Sequence, residues 1–205
     1  MKYIIHRGIT SKNIKENTFT SIKRALMDTT SSGVEFDIRL TLDNVIVLSH
    51  NSFNIEKMNY NDILSKRYVC TLDSILSINT NKILLIDIKV KNNYKRFAKV
   101  ITEYLLNSKD KNIYLASFNK RIIKYLKKKT NYKLGYITFR NTRNNNSFEV
   151  INYVFLCNKD INKYPNKEIF LWTIHNLEEE KLVLDEFSNT NYYIIKDSYD
   201  SFTSM

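Results

Sequence analysis

The feature that most constrains the fold of this chain is a regular alternation of short apolar runs with longer amphipathic stretches. Short runs rich in β-branched residues predict strands, and apolar residues at helical spacing predict helices between them. The predicted strands are Tyr3–His6, Val34–Ile38, Ile83–Lys89, Ile113–Ala116, Tyr132–Tyr136, Tyr153–Leu156, Ile169–Thr173 and Tyr192–Lys196. The predicted helices are Phe19–Met27, Leu72–Ser77, Phe97–Leu106, Ile122–Leu126 and Leu177–Phe187. Eight such units in 205 residues indicate an α/β fold, a compact TIM (β/α)₈ barrel with short connections, as a single domain over residues 1–205.

One segment departs from this alternation, directly after the second predicted barrel strand. Val34–Leu40 and Val45–Ser49 are both strand-like, and they lie too close together for the crossover that joins parallel strands. We therefore expect a β-hairpin arm after strand 2, with Asp43-Asn44 as a two-residue loop. Counting back along the antiparallel ladder from that loop places Asp37 opposite His50, with both side chains on one face.

Two pairs of charged residues at i, i+2 spacing lie on predicted core strands. Glu35 and Asp37 project from one face of the second strand, whose other residues are apolar. Neighbouring carboxylates repel each other unless a cation lies between them, and hard divalent ions such as Mg²⁺ or Ca²⁺ prefer oxygen ligands. Asp87 could be a third ligand, and the ammonium of Lys89 could meet a phosphate oxygen. A rim salt bridge is the alternative for either pair alone, but both pairs lie where barrels carry their active sites.

The histidines supply groups that can transfer protons near neutral pH. His6 ends the first predicted strand, and Arg7 behind it offers a guanidinium suited to phosphate, while Gly8 permits close backbone approach. His6 and His50 together could act as general acid and general base on opposite sides of one phosphorus. His175 follows a later strand, and we do not expect it to contact ligand.

These residues form motifs in a specific order. The first fifty residues contain His6-Arg7-Gly8, Glu16-Asn17-Thr18, Glu35-x-Asp37 followed by Leu40-Thr41, and His50. In order and spacing this set resembles the glycerophosphodiester phosphodiesterase family, whose members carry HRG, ENT and ExD motifs and a histidine after a short hairpin. Looser similarities continue along nearly the whole chain at Asp87-Ile88-Lys89, Ser117-Phe118, Trp172-Thr173 and Ile195-Lys196-Asp197.

The resemblance implies a barrel enzyme, a phosphoric diester hydrolase, that converts glycerophosphodiesters such as glycerophosphocholine or glycerophosphoethanolamine to glycerol 3-phosphate and an alcohol. It implies one divalent cation, Mg²⁺ or Ca²⁺, on Glu35, Asp37 and Asp87, and phosphate contacts from Arg7 and Lys89. It further implies that His6 and His50 are the acid–base pair, with their order of action open. Glu16 would support the site by holding Arg7 in place, and Trp172 would form part of the pocket wall.

The chain also departs from the family pattern. Asn51 stands where the family usually has Asp after the histidine, and Asp87 replaces the more common Glu. The segment between His50 and Cys70 is short where many members carry a larger insertion that covers the substrate. We therefore expect a reduced insertion and a more open pocket.

Composition gives little support for any partner other than a small-molecule substrate. The formal net charge is +11, but lysines are spread along the whole chain. The densest basic cluster lies on a predicted helix and is expected to be a solvated face; it comprises Lys120, Arg121, Lys124, Lys127, Lys128 and Lys129. We expect no nucleic-acid partner and at most weak association with an anionic membrane surface, and the oligomeric state stays open.

The sequence also bears on the location of the protein and on the state of its two cysteines. The chain has no basic, apolar leader and no run of the roughly 20 apolar residues that a membrane span needs, so a cytoplasmic location is expected. Cys70 and Cys157 lie far apart without the spacing of a zinc site or a disulfide framework, which favours buried free thiols.

Two alternatives differ in their chemistry. A relative of the spider-toxin phospholipases D would leave a cyclic phosphate as its final product, although the HRG and ENT motifs argue against it. A non-catalytic basic barrel would bind anionic lipid or nucleic acid through its lysines, with steeply salt-dependent affinity that survives loss of both histidines.

Overall fold

The computed structural model describes residues 2–106, 108, 111–139, 146–152, 167–187 and 192–198. Within these residues, eight parallel strands form a sheet in the order β1-β9-β8-β7-β6-β5-β4-β2, which closes because β1 also pairs with β2. A ninth strand, β3, pairs antiparallel with β2 outside this circle. The predicted (β/α)₈ barrel is therefore confirmed.

The strands are β1 (Lys2–His6), β2 (Ser31–Leu40), β3 (Ile46–Leu48), β4 (Ile83–Ile88), β5 (Ile113–Ser117), β6 (Lys133–Thr138), β7 (Phe148–Asn152), β8 (Glu168–Ile174) and β9 (Tyr192–Lys196). The described helices are α1 (Phe19–Met27), α2 (Tyr60–Leu64), α3 (Leu72–Leu76), α4 (Tyr94–Leu105), α5 (Lys120–Leu126) and α6 (Leu177–Glu186), with a 3₁₀ turn at Ile55–Lys57. The five predicted helices and seven of the eight predicted strands coincide with elements of the structure to within a few residues.

The remaining predicted strand, Tyr153–Leu156, lies outside the described residues, as does Cys157. The strand that pairs between β6 and β8 is β7, which begins five residues earlier, at Phe148. Its sequence Phe-Glu-Val-Ile-Asn has a buried glutamate at its second position and is less apolar than the run that follows it, which accounts for the difference. Cys70 is a buried free thiol, as predicted.

The hairpin exists, but its predicted register was wrong by one residue. Ile38 pairs with Leu48 and Leu40 with Ile46, and the backbone N–H of Ser49 donates to the carbonyl of Asp37. Ser49, and not His50, is therefore opposite Asp37. The cause is a three-residue loop that ends with Asn44 in the left-handed region at φ 68°. A turn followed by one left-handed residue is the common way to build such a loop.

Apolar side chains fill both sides of the barrel wall. The barrel interior is packed by buried residues that include Leu85, Tyr114, Phe148 and Phe170. A larger cluster lies between the strands and the outer helices. No helix in the described ranges combines the length and the apolar character that crossing a membrane requires.

Candidate active site at the carboxyl end of the barrel

Three carboxylates meet where β2 and β4 approach their carboxyl ends. The parallel register places Asp37 directly beside Asp87, and Glu35 is two residues earlier on β2. All three residues are buried, and one carboxylate oxygen from each lies within 4.8 Å of the others. The cluster predicted from sequence is thus brought together, in a geometry that could hold a metal ion.

Two cations lie against this cluster. The Nζ atom of Lys89 is 2.5 Å from Asp87 Oδ2 and 3.1 Å from Asp37 Oδ1, so the ammonium bridges the two aspartates. The Nε atom of Arg7 is 3.1 Å from Asp37 Oδ2. Glu35 has no such ammonium or guanidinium partner among the described side chains; its Oε2 accepts a 3.3 Å bond from the backbone N–H of Arg7. Both cations contact Asp37, so they stabilise its ionised form more than that of Glu35 or Asp87.

The pKa values follow from this uneven pairing. Burial raises the pKa of Glu35 well above its ordinary value, and the charges of Asp37 and Asp87 raise it further. Burial likewise raises the pKa of Asp87 to about 7, although Lys89 opposes the shift. Burial would also raise the pKa of Asp37, but Lys89 and Arg7 outweigh it and lower that pKa below 3.8. Without a further cation, two of the three acids resist ionisation.

The loop after β1 presents Arg7 through an uncommon backbone. Arg7 has φ 53° and Gly8 has φ 87°, so two successive residues are left-handed. A Cβ atom on Gly8 would lie 2.5 Å from the backbone carbon of Ser21 in α1, so only glycine fits there. Glu16 accepts two hydrogen bonds, 3.1 and 3.2 Å long, from Arg7 Nη1, in the contact expected of it.

Asn17 is a site residue that the sequence reasoning did not single out, although it lies inside the ENT motif. Its Nδ2 donates to Asp37 Oδ2 over 2.9 Å, and its Oδ1 accepts from the backbone N–H of Asp37 over 3.0 Å. Its own backbone N–H donates to the carbonyl of Arg7. Asn17 therefore fixes the orientation of one carboxylate relative to the loop that carries Arg7.

His6 is held by a further carboxylate, that of Asp197, to which no role was assigned from sequence. Asp197 follows β9 directly, and its Oδ1 lies 2.6 Å from His6 Nδ1. The other oxygen, Oδ2, lies 2.7 Å from Nδ1 of His175. His6 Nε2 then faces the acid cluster, 3.9 Å from Glu35 Oε2. Burial would raise the pKa of Asp197, but the hydrogen bonds with His6 and His175 lower it below its ordinary value.

His50 reaches the same cavity from the end of the hairpin arm, despite the shift in register. Burial lowers its pKa below 6.5, and Asp37 opposes that shift while Arg7 and Lys89 add to it. Its backbone carbonyl accepts two hydrogen bonds, 3.3 and 2.7 Å long, from the buried guanidinium of Arg39. Arg39 also pairs with Glu56 at 2.6 Å, so an ion pair beneath the arm fixes the histidine.

The nine residues predicted for the site all line one cavity of about 510 Å³ at this end of the barrel. They are His6, Arg7, Glu16, Glu35, Asp37, His50, Asp87, Lys89 and Trp172. One wall is aromatic, because Trp172 lies 5.7 Å from Phe118 and 5.6 Å from Phe139 between ring centroids. His175, which we did not expect to contact ligand, also lines the cavity. An acid cluster, three imidazoles and two cations around one void can bind and cleave an anionic ester.

The sequence is similar to those of glycerophosphodiester phosphodiesterases. The model of the glycerophosphoryl diester phosphodiesterase family matches residues 6–183. A glycerophosphodiester phosphodiesterase of Caldanaerobacter subterraneus is 26% identical over 153 residues, and the match covers 61% of each protein. The chain thus spans about three fifths of the length of that curated relative.

Two solved structures share the fold. A glycerophosphodiester phosphodiesterase from Thermotoga maritima superposes with a TM-score of 0.74 at 21% identity, over 96% of this chain and 95% of that one. A phosphodiesterase from Oleispira antarctica, solved with the product sn-glycerol-3-phosphate, gives a TM-score of 0.79 at 16% identity over 96% and 93%. At these identities the likeness establishes the barrel.

Proposed function

This chain belongs to the glycerophosphoryl diester phosphodiesterase family, and on that premise we propose that it hydrolyses glycerophosphodiesters to glycerol 3-phosphate and an alcohol with the aid of one divalent cation. The substrates we expect are small, such as glycerophosphocholine or glycerophosphoethanolamine. The observation that carries the proposal is the convergence of His6 and His50 with three buried carboxylates and two cations around one cavity.

The donor set fits a hard divalent cation. Asp87 Oδ1 is buried and has no hydrogen-bond partner among the described residues, so one ligand atom is left open beside Glu35. Burial first, and repulsion from Asp37 after it, raise the pKa values of Glu35 and Asp87, and a cation held between the acids would offset both effects. Glu35, Asp37 and Asp87 would hold the ion through oxygen, as Mg²⁺ and Ca²⁺ prefer. When bound, it would supply positive charge to the phosphoryl oxygens.

The two imidazoles would move the protons. In the first step one histidine takes the proton of the glycerol 2-hydroxyl, whose oxygen bonds to phosphorus, while the other protonates the departing alcohol oxygen. In the second step the roles reverse: the histidine that gave up its proton takes one from water, the water oxygen bonds to phosphorus, the bond to the 2-oxygen breaks, and the other histidine reprotonates that oxygen. Arg7 and Lys89 carry positive charge at the cavity wall, where negative charge develops on phosphorus-bound oxygens.

A panel of diesters assayed with and without chelator tests this proposal. We expect purified protein with Mg²⁺ or Ca²⁺ to release glycerol 3-phosphate from glycerophosphocholine or glycerophosphoethanolamine, and EDTA to stop the reaction. ³¹P NMR of the products separates the alternatives, because a persistent cyclic phosphate without glycerol 3-phosphate would support the phospholipase D-like reaction. Absence of turnover with every diester and both metals would overturn the proposal.

A further inference from the structure

The third histidine of the chain takes part in a chain of hydrogen bonds that ends at His6. Each oxygen of Asp197 is bonded to a different imidazole: Oδ1 lies 2.6 Å from His6 Nδ1, and Oδ2 lies 2.7 Å from His175 Nδ1. The side chain of His6 is 16% exposed, whereas that of His175 is 59% exposed. The carboxylate thus lies between a largely buried imidazole in the cavity and a second one at its rim.

The backbone around His175 is built to hold this position. Asn176 is the N-cap of α6, and its side-chain oxygen accepts from the backbone N–H of Glu179 over 2.9 Å. The carboxylate of Glu179 reaches back and accepts the backbone N–H of His175 over 2.8 Å. These reciprocal bonds form a box around the first turn of the helix and leave His175 little freedom. The backbone N–H of Asp197 donates to the carbonyl of Ile174, which ties the two partners together.

From this geometry we propose that His175 is a positioning residue for the reaction: it occupies the second oxygen of Asp197 and so fixes the carboxylate, and through it the ring orientation and tautomer of His6. The inference rests on the proposed function, since the orientation of His6 matters there. A carboxylate bonded at one oxygen only can rotate about its χ2 angle, which has broad, shallow preferences. With both oxygens bonded, Oδ1 accepts from His6 Nδ1, and the proton on Nδ1 leaves Nε2 free for proton transfer in the cavity.

The chemistry of the contact defines a matched pair of variants. The amide nitrogen of Asn lies at the position of histidine Nδ1, so His175→Asn keeps a donor to Asp197 but cannot change its charge. His175→Phe keeps a ring of similar size and removes the donor. We expect kcat to fall roughly 10-fold in His175→Phe, with KM nearly unchanged. This is a small effect for the loss of a partner that orients a site residue, because His175 is half exposed. His175→Asn should restore kcat to within about 3-fold of wild type, since a retained hydrogen bond accounts for most of the effect.

The kinetic results would overturn the proposal in two ways. Wild-type kcat in His175→Phe would show that Asp197 needs no second partner. Equal loss of kcat in His175→Asn and His175→Phe would show that the imidazole does more than donate a bond, such as carrying a proton or touching the substrate, and a rise in KM alone would indicate substrate contact.

A second measurement does not depend on turnover. ¹⁵N NMR of the histidine rings distinguishes Nδ1-protonated from Nε2-protonated imidazole. We expect His6 to be protonated at Nδ1 in the wild type and in His175→Asn, and to show a mixture of tautomers in His175→Phe. An unchanged His6 tautomer in His175→Phe would contradict the proposal. If the wild type cleaves no diester, the proposed function fails, and this spectrum still decides the positioning role.

Discussion

The two ends of the barrel pair their carboxylates in opposite ways. At the amino end, Glu168 on β8 accepts hydrogen bonds from Tyr114, at 3.0 and 3.1 Å, and lies 2.9 Å from Lys133 Nζ and 3.5 Å from the hydroxyl of Tyr193. One carboxylate there has three partners from three other strands. At the carboxyl end, three carboxylates share Lys89 and Arg7, and Asp87 Oδ1 has no hydrogen-bond partner within the ranges described.

This difference separates a carboxylate that is paired within the fold from carboxylates that leave an oxygen atom open. A buried polar group that is fully bonded contributes to stability, whereas an unpaired one costs free energy. The paired carboxylate at the amino end therefore adds to the stability of the barrel, while the acid cluster at the carboxyl end carries a repulsion that a bound cation would relieve. Different strands carry the two arrangements, β5, β6, β8 and β9 at the amino end and β2 and β4 at the carboxyl end. Barrels commonly keep stability and chemistry at opposite ends in this way.

The sharpest test replaces the imidazoles at the carboxyl end. His6→Ala and His50→Ala should each lower turnover of glycerophosphodiesters by at least ~10²-fold, the usual scale for loss of a general acid or base. Circular dichroism should show an unchanged fold, because both side chains lie at the cavity. Wild-type rates in both variants would remove the acid–base roles and leave the carboxyl end without a reaction centre.

Asp87→Asn should move activity and stability in opposite directions. Loss of a ligand oxygen should lower turnover by more than ~10-fold. The same change removes a buried carboxylate whose pKa burial raises to about 7, so that its ionised form opposes folding at pH 8, and we expect a higher melting temperature in EDTA at that pH. Thermal unfolding with and without chelator measures this, and a variant less stable than the wild type in EDTA would break the contrast between the ends.

The pH dependence of stability follows from the same carboxyl. Its pKa is 3.8 in the unfolded chain and about 7 in the folded one, so the folded state binds more protons between these values. Stability is then highest near the lower pH and falls as pH rises through that window. Metal-free protein should unfold at a higher temperature at pH 5 than at pH 8, and Asp87→Asn should reduce that difference. An equal difference in melting temperature between pH 5 and pH 8 in both proteins would contradict the assignment to Asp87.

The smallest effect on turnover is expected at the amino end. Glu168→Gln should leave turnover within about 2-fold of wild type, but it weakens the contacts with Lys133 and Tyr114 and should lower the melting temperature by roughly 4 °C. Activity assays beside thermal unfolding check both expectations. A large loss of activity would mean that the two ends are coupled.

Most of the fold and of the site could be predicted because their signals are local. Apolar runs located seven of the eight barrel strands, and the i, i+2 spacing of Glu35 and Asp37 already placed both carboxylates on one face. The hairpin could be predicted, but its register depended on whether the loop had two or three residues. The three-residue loop needs Asn44 in the left-handed backbone region. An asparagine can adopt that region but does not have to, so the sequence alone does not decide the loop length.

The missed residues share a different property, because they act through partners far away in sequence. Asn17 is 20 residues from Asp37, and Asp197 is 191 residues from His6. Arg39 holds the carbonyl of His50 with a side chain that reads as an ordinary charged strand residue. A usable signal existed for Asp197, which directly follows the last strand, where barrels place functional groups. Nothing comparable marked Arg39, whose role depends on the folded hairpin.

The contact between Gly8 and Ser21 has a consequence for how this site can change over time. The loop that carries Arg7 rests directly on the first turn of α1, with the backbone N–H of Ile9 donating to the carbonyl of Ser21. A shift of that helix is therefore transmitted to Arg7 and His6 without any substitution inside the cavity. Mutations on the outer surface of α1 offer a route by which selection could adjust catalytic rate while leaving every substrate contact in place.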